Sequence, residues 1–284
     1  MGRYKKILVA VDGSPSGDNA LRQAFRLAND EKCWITVTTV VPGYYGDLDL
    51  IGVGDIHEAL RKPGLEILSK ASETAKKEGA LIKTVVEEGE TYERIVDLAE
   101  AENCGIIVMG RRGMSGLERV LVGSVTARVI GHSQRDVLVV PPDMSLSWQK
   151  ILVATDGSRH SGAAVEKAID FAKSYGGSLT AVSVVDVPDE LYAEAPKIVD
   201  DLIAKAKGYV ADVKKAADAA GIQVTTFVAE GVGHEVVTKT AHKVGTGLIV
   251  MGSHGRTGLK RLLMGSVTEK VIGHAPCPVL VVKL

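Results

Sequence analysis

Two stretches carry glycine and serine at a spacing suited to phosphate chemistry. One is Gly252-Ser-His-Gly255-Arg-Thr-Gly-Leu-Lys-Arg-Leu-Leu-Met-Gly265-Ser266, and the other is Gly110-Arg-Arg-Gly113-Met-Ser-Gly-Leu-Glu-Arg-Val-Leu-Val-Gly123-Ser124. Both read glycine, two residues, glycine, nine residues, Gly-Ser. Each follows an apolar run, Gly105 to Met109 or Gly247 to Met251, that predicts a buried strand, and each leads into a helix expected to open on its serine. Glycine lets the backbone approach a ligand closely and adopt positive φ. The free N–H groups and partial positive charge of a helix start favour an anion. Ser266-Val-Thr-Glu269 reads as a complete capping box, whereas Ser124-Val-Thr-Ala127 lacks the terminal acid.

A carboxylate recurs with these loops. Lys6-Ile-Leu-Val-Ala-Val-Asp12-Gly-Ser14 returns as Lys150-Ile-Leu-Val-Ala-Thr-Asp156-Gly-Ser158 at a lag of 144, and the glycine loops return at a lag of 142. Val40-Val41 matches Val184-Val185 at 144 and Gly79 matches Gly221 at 142, so two extra residues lie between 42 and 78 in the first half. Copies of this length are domains rather than turns of a solenoid. The expected division is a first domain over 1–142, a linker over 143–148 in the segment Pro141-Pro-Asp-Met-Ser-Leu-Ser147, and a second domain over 149–284.

Composition narrows the function classes. The chain of 284 residues has a formal net charge of −1 and 4% aromatics, which gives neither a basic pull toward nucleic acid nor a base-stacking surface. Cys33, Cys104 and Cys277 stand far apart without a Cys-x-x-Cys pair, so neither a disulfide framework nor a zinc site is expected. No apolar run approaches the ~20 residues that span a bilayer. No secretory signal stands before the first strand, so the expected setting is the cytoplasm, with no membrane partner.

The elements that must position the loops follow from periodicity. Strands are expected at 5–11, 34–41, 81–87, 105–109 and 137–140, with helices over 17–30, toward Lys77, 92–102 and 124–131. The second half repeats them as strands 150–155, 178–185, 222–228, 247–251 and 279–282 and helices 160–174, 196–219, 234–244 and 266–273. The irregular stretch over 42–57 is long for an α/β connection and reads as a lid, a contact surface or a surface loop. Strict alternation of strand and helix implies a parallel sheet with right-handed crossovers, a doubly wound α/β domain. Ligands bind such sheets at the carboxyl ends of the strands where strand order reverses. If strands one and four are neighbours, Asp12 faces the loop Gly110–Ser124, and Asp156 faces Gly252–Ser266.

On these residues the chain resembles a tandem universal stress protein of the nucleotide-binding type. The likeness spans nearly all of both halves. It rests on Asp12-Gly-Ser and Asp156-Gly-Ser, on Val-Met-Gly-x-x-Gly-x9-Gly-Ser-Val-Thr ending at Thr126 and Thr268, and on His274-Ala-Pro-Cys-Pro-Val-Leu-Val-Val282. The resemblance implies two open five-stranded parallel sheets of the adenine nucleotide alpha hydrolase-like kind, strand order 3-2-1-4-5, each binding ATP; Asp12 and Asp156 are the carboxylates that could hold Mg2+ through the phosphates. By that likeness Asp12 and Asp156, with the main chain of Val40 and Val184, meet adenosine, and Met109 and Met251 touch the nucleoside. Gly110, Gly113, Gly123, Ser124 and Val125 in the first half, and Gly252, Gly255, Gly265, Ser266 and Val267 in the second, meet ribose and phosphates. Family members often dimerise through the last strand. Val137–Val140 and Val279–Val282 are therefore expected to pair within the chain, with room for a homodimer beyond that and for an unidentified protein partner.

The halves also differ. The second loop holds Ser253-His254 and Arg256 where the first holds Arg111-Arg112 and Met114, and the first half ends His132-Ser-Gln-Arg-Asp-Val137 instead of the proline-rich segment. Three functions compete: an ATP-binding stress-response module, a slow ATPase or phosphotransferase, and a scaffold with empty pockets. Phosphoryl-transfer enzymes need a metal-holding carboxylate, a phosphate lysine and a positioned base. The loops lack Gly-x4-Gly-Lys-Ser/Thr, and no nucleophile triad stands out, so no catalytic residue is assigned.

Overall fold

Lys6–Ala10 is apolar on both faces after its first residue, and such a strand is stable only where both faces of a sheet are covered. The computed structural model describes residues 3–43, 56–113, 122–255 and 264–284, apart from the side chains of Ile56, His57 and Asp189. Most of the irregular stretch over 42–57, and residues 114–121 and 256–263 of the glycine loops with Met114 and Arg256, lie outside the described residues.

The chain divides into two units, Met1–Asp143 and Met144–Leu284. The first unit runs β1 (Lys6–Ala10), α1 (Pro15–Glu31), β2 (Trp34–Val41), α2 (Ile56–Lys77), β3 (Ile82–Glu88), α3 (Thr91–Ala101), β4 (Ile106–Gly110), α4 (Ser124–His132) and β5 (Asp136–Val140). The second runs β6 (Lys150–Ala154), α5 (Arg159–Tyr175), β7 (Ser178–Val185), α6 (Asp189–Glu194), α7 (Pro196–Ala219), β8 (Val224–Glu230), α8 (Gly233–Val244), β9 (Leu248–Gly252), α9 (Ser266–His274) and β10 (Val279–Val282).

Within the first unit the strand order is β3-β2-β1-β4-β5, and in the second it is β8-β7-β6-β9-β10. The pairings are parallel, with Val9 opposite Val37 and Val108, and Val153 opposite Ala181 and Val250. Strand order therefore reverses between β1 and β4, and again between β6 and β9. Ile7, Leu8, Ile106 and Ile107 are fully buried in the first sheet, as are Ile151, Leu152, Leu248 and Ile249 in the second. On α1 the face of Ala20, Leu21, Ala24, Leu27 and Ala28 packs inward, and on α7 so do Val199, Ala206, Val210 and Val213. Phe171 of α5 is covered by Trp148, whose ring stacks 4.7 Å from it and 4.6 Å from Tyr175.

Three local expectations are corrected. The helices after the glycine loops are capped by Gly123 and Gly265 in extended backbone, without a side-chain cap bond, so Ser124 and Ser266 are the first helical residues. A residue already inside the helix cannot turn its hydroxyl back onto the next N–H groups as a cap does, and the capping box of Ser266 and Glu269 does not form. The first-turn N–H groups thus keep no intrahelical acceptor. Second, the described glycines of the two loops do not adopt positive φ; that conformation falls on Gly13 (φ 78°) and Gly157 (φ 77°) in the turns after the aspartates. Third, a short extra helix, α6, precedes the long helix of the second unit, confined between Pro188 and Pro196.

Candidate functional site

The carboxylates are placed by the way β1 and β6 end. Val11 N–H still bonds to Thr38 O at 2.9 Å, and Thr155 N–H to Val182 O at 2.9 Å, so the chain leaves the sheet at Asp12 and Asp156. The left-handed glycine that follows turns it into a helix. Asp12 Oδ1 accepts from the Ser14 N–H at 3.1 Å and from its hydroxyl at 2.6 Å. Ser14 in turn caps α1 by accepting from Gly17 N–H at 3.1 Å, with Pro15 preset at the first helical position. In the second unit Asp156 Oδ1 accepts from Ser158 N–H at 3.0 Å, and Ser158 accepts from Ser161 N–H at 3.2 Å. Ser14→Ala therefore removes both a cap and one of the donors fixing Asp12. It is expected to lower the stability of the first unit by about 1 kcal/mol in a urea titration.

The glycine loops meet those turns at close range. A methyl group added at Gly113 would stand 2.5 Å from Asp12 Oδ2, and one at Gly255 would stand 2.9 Å from Asp156 Oδ2. The bases of the loops are closed in the same way in both units. Gly123 N–H bonds to Arg111 O at 2.9 Å and Gly265 N–H to Ser253 O at 2.8 Å. Thr126 donates to Gly110 O and Thr268 to Gly252 O, each at 3.0 Å. These bonds hold the first turn of α4 or α9 against the end of β4 or β9.

A crevice of about 220 Å³ opens at the reversal point of the first unit. Asp12, Val40, Met109 and Gly110 line it from the strand ends, and Gly113, Gly123, Ser124 and Val125 from the loop and the start of α4. The second crevice, of about 390 Å³, brings together Asp156, Val184, Met251 and Gly252 with Gly255, Gly265, Ser266 and Val267. Every residue that the resemblance assigns to the nucleotide thus borders the crevice of its own unit, whereas Arg111 and Ser253 do not line it. The helices facing the loops add residues the sequence did not mark: Thr91 and Ile95 from α3, and Gly233 and Val237 from α8. Asp186 also lines the second crevice and accepts from Gly233 N–H at 2.9 Å, where Pro42 stands in the first half. A lone acidic residue directly after a strand, at a position the repeat does not keep, was the available signal.

The charges around the crevices differ. Arg112 lines the first, and its Nε is buried with no hydrogen-bond partner among the described residues. A buried donor of that kind suits an anionic group. Burial, and the positive charge of Arg112 beside it, hold the neighbouring Arg111 below the usual arginine range. In the second crevice His254 takes the place of Arg112, and its ring lies 5.5 Å from that of His160, centroid to centroid. Burial pushes the thiols of Cys33 and Cys277 up to about 12 and that of Cys104 to about 11, so these sulfurs stay protonated and are poor nucleophiles. Among the described residues no group of three or more His, Cys, Asp or Glu is placed to hold a metal ion, and no helix is long and apolar enough to cross a membrane.

Two doubly wound units, each with an aspartate, a glycine loop and a helix start without a side-chain cap converging on a crevice at the reversal of strand order, define a tandem α/β protein with one anion-suited pocket per unit. The sequence profile of the Universal stress protein family matches residues 3–141 and 147–283. Universal stress protein MJ0531 of Methanocaldococcus jannaschii is 43% identical over 141 residues, which is 48% of this chain and 82% of that protein. A universal stress protein of Mycolicibacterium smegmatis is 27% identical over 296 residues, covering 98% of this chain and 96% of its own. In fold the chain is similar to the crystal structure of a universal stress protein from Archaeoglobus fulgidus, with a TM-score of 0.74, 24% identity, and coverage of 98% and 96%. The chain belongs to the universal stress protein family, with two copies of the family's domain in tandem.

Proposed function

We propose that the chain binds ATP in each crevice and acts in the cytoplasm as a stress-response module whose loaded state is read by a protein partner. The observation that carries the reading is the convergence, twice, of a held carboxylate, close-approaching glycines and the free first-turn N–H groups of a helix on one crevice. In this reading Asp12 and Asp156 meet adenosine together with the main chain of Val40 and Val184, beside Met109 and Met251. Gly113 and Gly123 with the N–H groups of Ser124 and Val125, and Gly255 and Gly265 with the N–H groups of Ser266 and Val267, receive ribose and phosphates, the N–H groups of Gly123 and Gly265 being already bonded within their loops; Gly110 and Gly252 let the loops leave the sheet close to the helix behind them. The buried Nε of Arg112 supplies a further donor in the first crevice. Asp12 and Asp156 each offer one carboxylate, and a Mg2+ would complete its oxygen shell from phosphates and water.

Nucleotide released on denaturing protein purified without added ligand, identified by mass spectrometry and counted per chain, tests this. Two ATP per chain is the expected result, one for each crevice. Mostly ADP would shift the reading to slow hydrolysis. Nothing released, together with no uptake on titration with ATP and Mg2+, would overturn it in favour of a scaffold.

A further inference from the structure

His160 and His254 face each other where the second glycine loop meets the start of α5. Their ring centroids are 5.5 Å apart, His254 lines the crevice, and its Nδ1 lies 3.2 Å from Ser253 Oγ. His160 sits directly behind the loop, since a methyl group added at Gly252 would stand 2.7 Å from its backbone carbon and its Cβ. Besides His254, the charges that bear on His160 among the described residues are Arg159 from α5, Lys283 after β10 and Asp156 from the turn after β6, the last being the negative one. The corresponding positions of the first unit hold Pro15, Ser16, Arg112 and Pro141 in place of Arg159, His160, His254 and Lys283. One crevice therefore carries a guanidinium, and the other carries an imidazole with a second imidazole beside it among cations.

We propose that the phosphate end of the second crevice is a proton-linked anion site: the His254–His160 pair takes up a proton as an anionic group arrives, whereas the first crevice meets its anion with the fixed charge of Arg112. The proposal rests on the nucleotide reading above and concerns the regulation of the same pocket. Two neighbouring imidazoles oppose each other's protonation, and burial, His254, Lys283 and Arg159 together hold His160 below the ordinary histidine range, against the pull of Asp156. A phosphate brings further negative charge close to the pair and raises its affinity for a proton. By linkage, protons are taken up on binding between the free and the bound pKa, and affinity rises as pH falls through that window.

The test is calorimetric titration of the full chain with ADP at pH 6 to 8, in buffers of different ionisation enthalpy, for wild type and for His254→Arg, His254→Gln and His160→Ser. ADP's own titration is common to all four proteins and cancels in the comparison. Wild type is expected to take up more protons per chain than any variant, and one of its two sites to gain about three- to tenfold in affinity from pH 8 to pH 6. His254→Arg is expected to bind at pH 8 at least as tightly as wild type does at pH 6, with no pH dependence beyond that of ADP itself. His254→Gln is expected to stay at the weak limit throughout. Equal proton uptake in wild type and variants, with ADP bound at both sites, overturns the proposal and leaves the nucleotide reading intact. Absence of ADP binding at every pH overturns both.

Discussion

Saturating ATP is expected to raise the melting temperature of the wild-type chain and to have little effect on the double variant Gly113→Ala/Gly255→Ala. At about 100 times its dissociation constant a ligand adds about 2.7 kcal/mol per independent site. For units of this size that corresponds to a rise of roughly 5–10 °C. The added methyl groups would meet Asp12 Oδ2 at 2.5 Å and Asp156 Oδ2 at 2.9 Å. Asp12 cannot swing aside freely, because its other oxygen is held by both the N–H and the hydroxyl of Ser14. Either the carboxylate or the loop must shift, and the cradle is misaligned while the packed core is left alone. The unliganded variant should therefore melt near the wild-type temperature. A ligand-induced rise of the same size in both proteins would show that nucleotide binds elsewhere.

The same substitution at the preceding glycine of each loop, three residues earlier, has the opposite signature. Gly110→Ala or Gly252→Ala is expected to destabilise its own unit by about 3 kcal/mol, near the upper end for overpacking, whether or not nucleotide is present. At Gly110 the added carbon would stand 2.7 Å from the carbonyl carbon of Ser16 and 2.9 Å from the nitrogen of Gly17, and at Gly252 it would stand 2.7 Å from the carbonyl carbon of His160. These are main-chain atoms of a first helical turn, not the end of a side chain. In the first unit that turn is tied down by Ser16 Oγ bonding to Val140 O at 3.1 Å and Asn19 Nδ2 to Pro141 O at 2.7 Å, so α1 cannot ride outward. Chemical denaturation followed by circular dichroism measures the loss. A loss below about 1 kcal/mol would mean that the helix yields after all.

What was legible in the chain follows from what repeats. Apolar runs such as Ile7-Leu-Val-Ala10 and Ile151-Leu-Val-Ala154 mark strands buried on both faces, and the Asp-Gly-Ser and Gly-Ser pairs mark where those strands deliver their loops. Alternation of strand and helix leaves the strand order open; the resemblance implies it, and it is strand order that brings Asp12 beside Gly113 although they are far apart in sequence. Less legible was how each glycine is used. Sequence alone does not separate a glycine in the left-handed region, such as Gly13 and Gly157, from one that makes room, such as Gly110 and Gly252. Cap and first helical residue are also indistinct when glycine and serine are adjacent, as at Gly265-Ser266. The helix Asp189–Glu194 is shorter than two turns and too brief to show a period. Thr91, Asp186 and His160 reach the site region through packing between elements, and neither motif contains them.

One consequence concerns counting. Arg112 borders the crevice of one unit and His254 that of the other, and a single peptide chain joins them. Two separate proteins with such sites would vary in ratio with their expression and turnover. Here synthesis and degradation keep the two kinds of site in equal number in every molecule. The relative filling of one site against the other is then a quantity independent of how much protein is present, as in a two-channel instrument that carries its own reference.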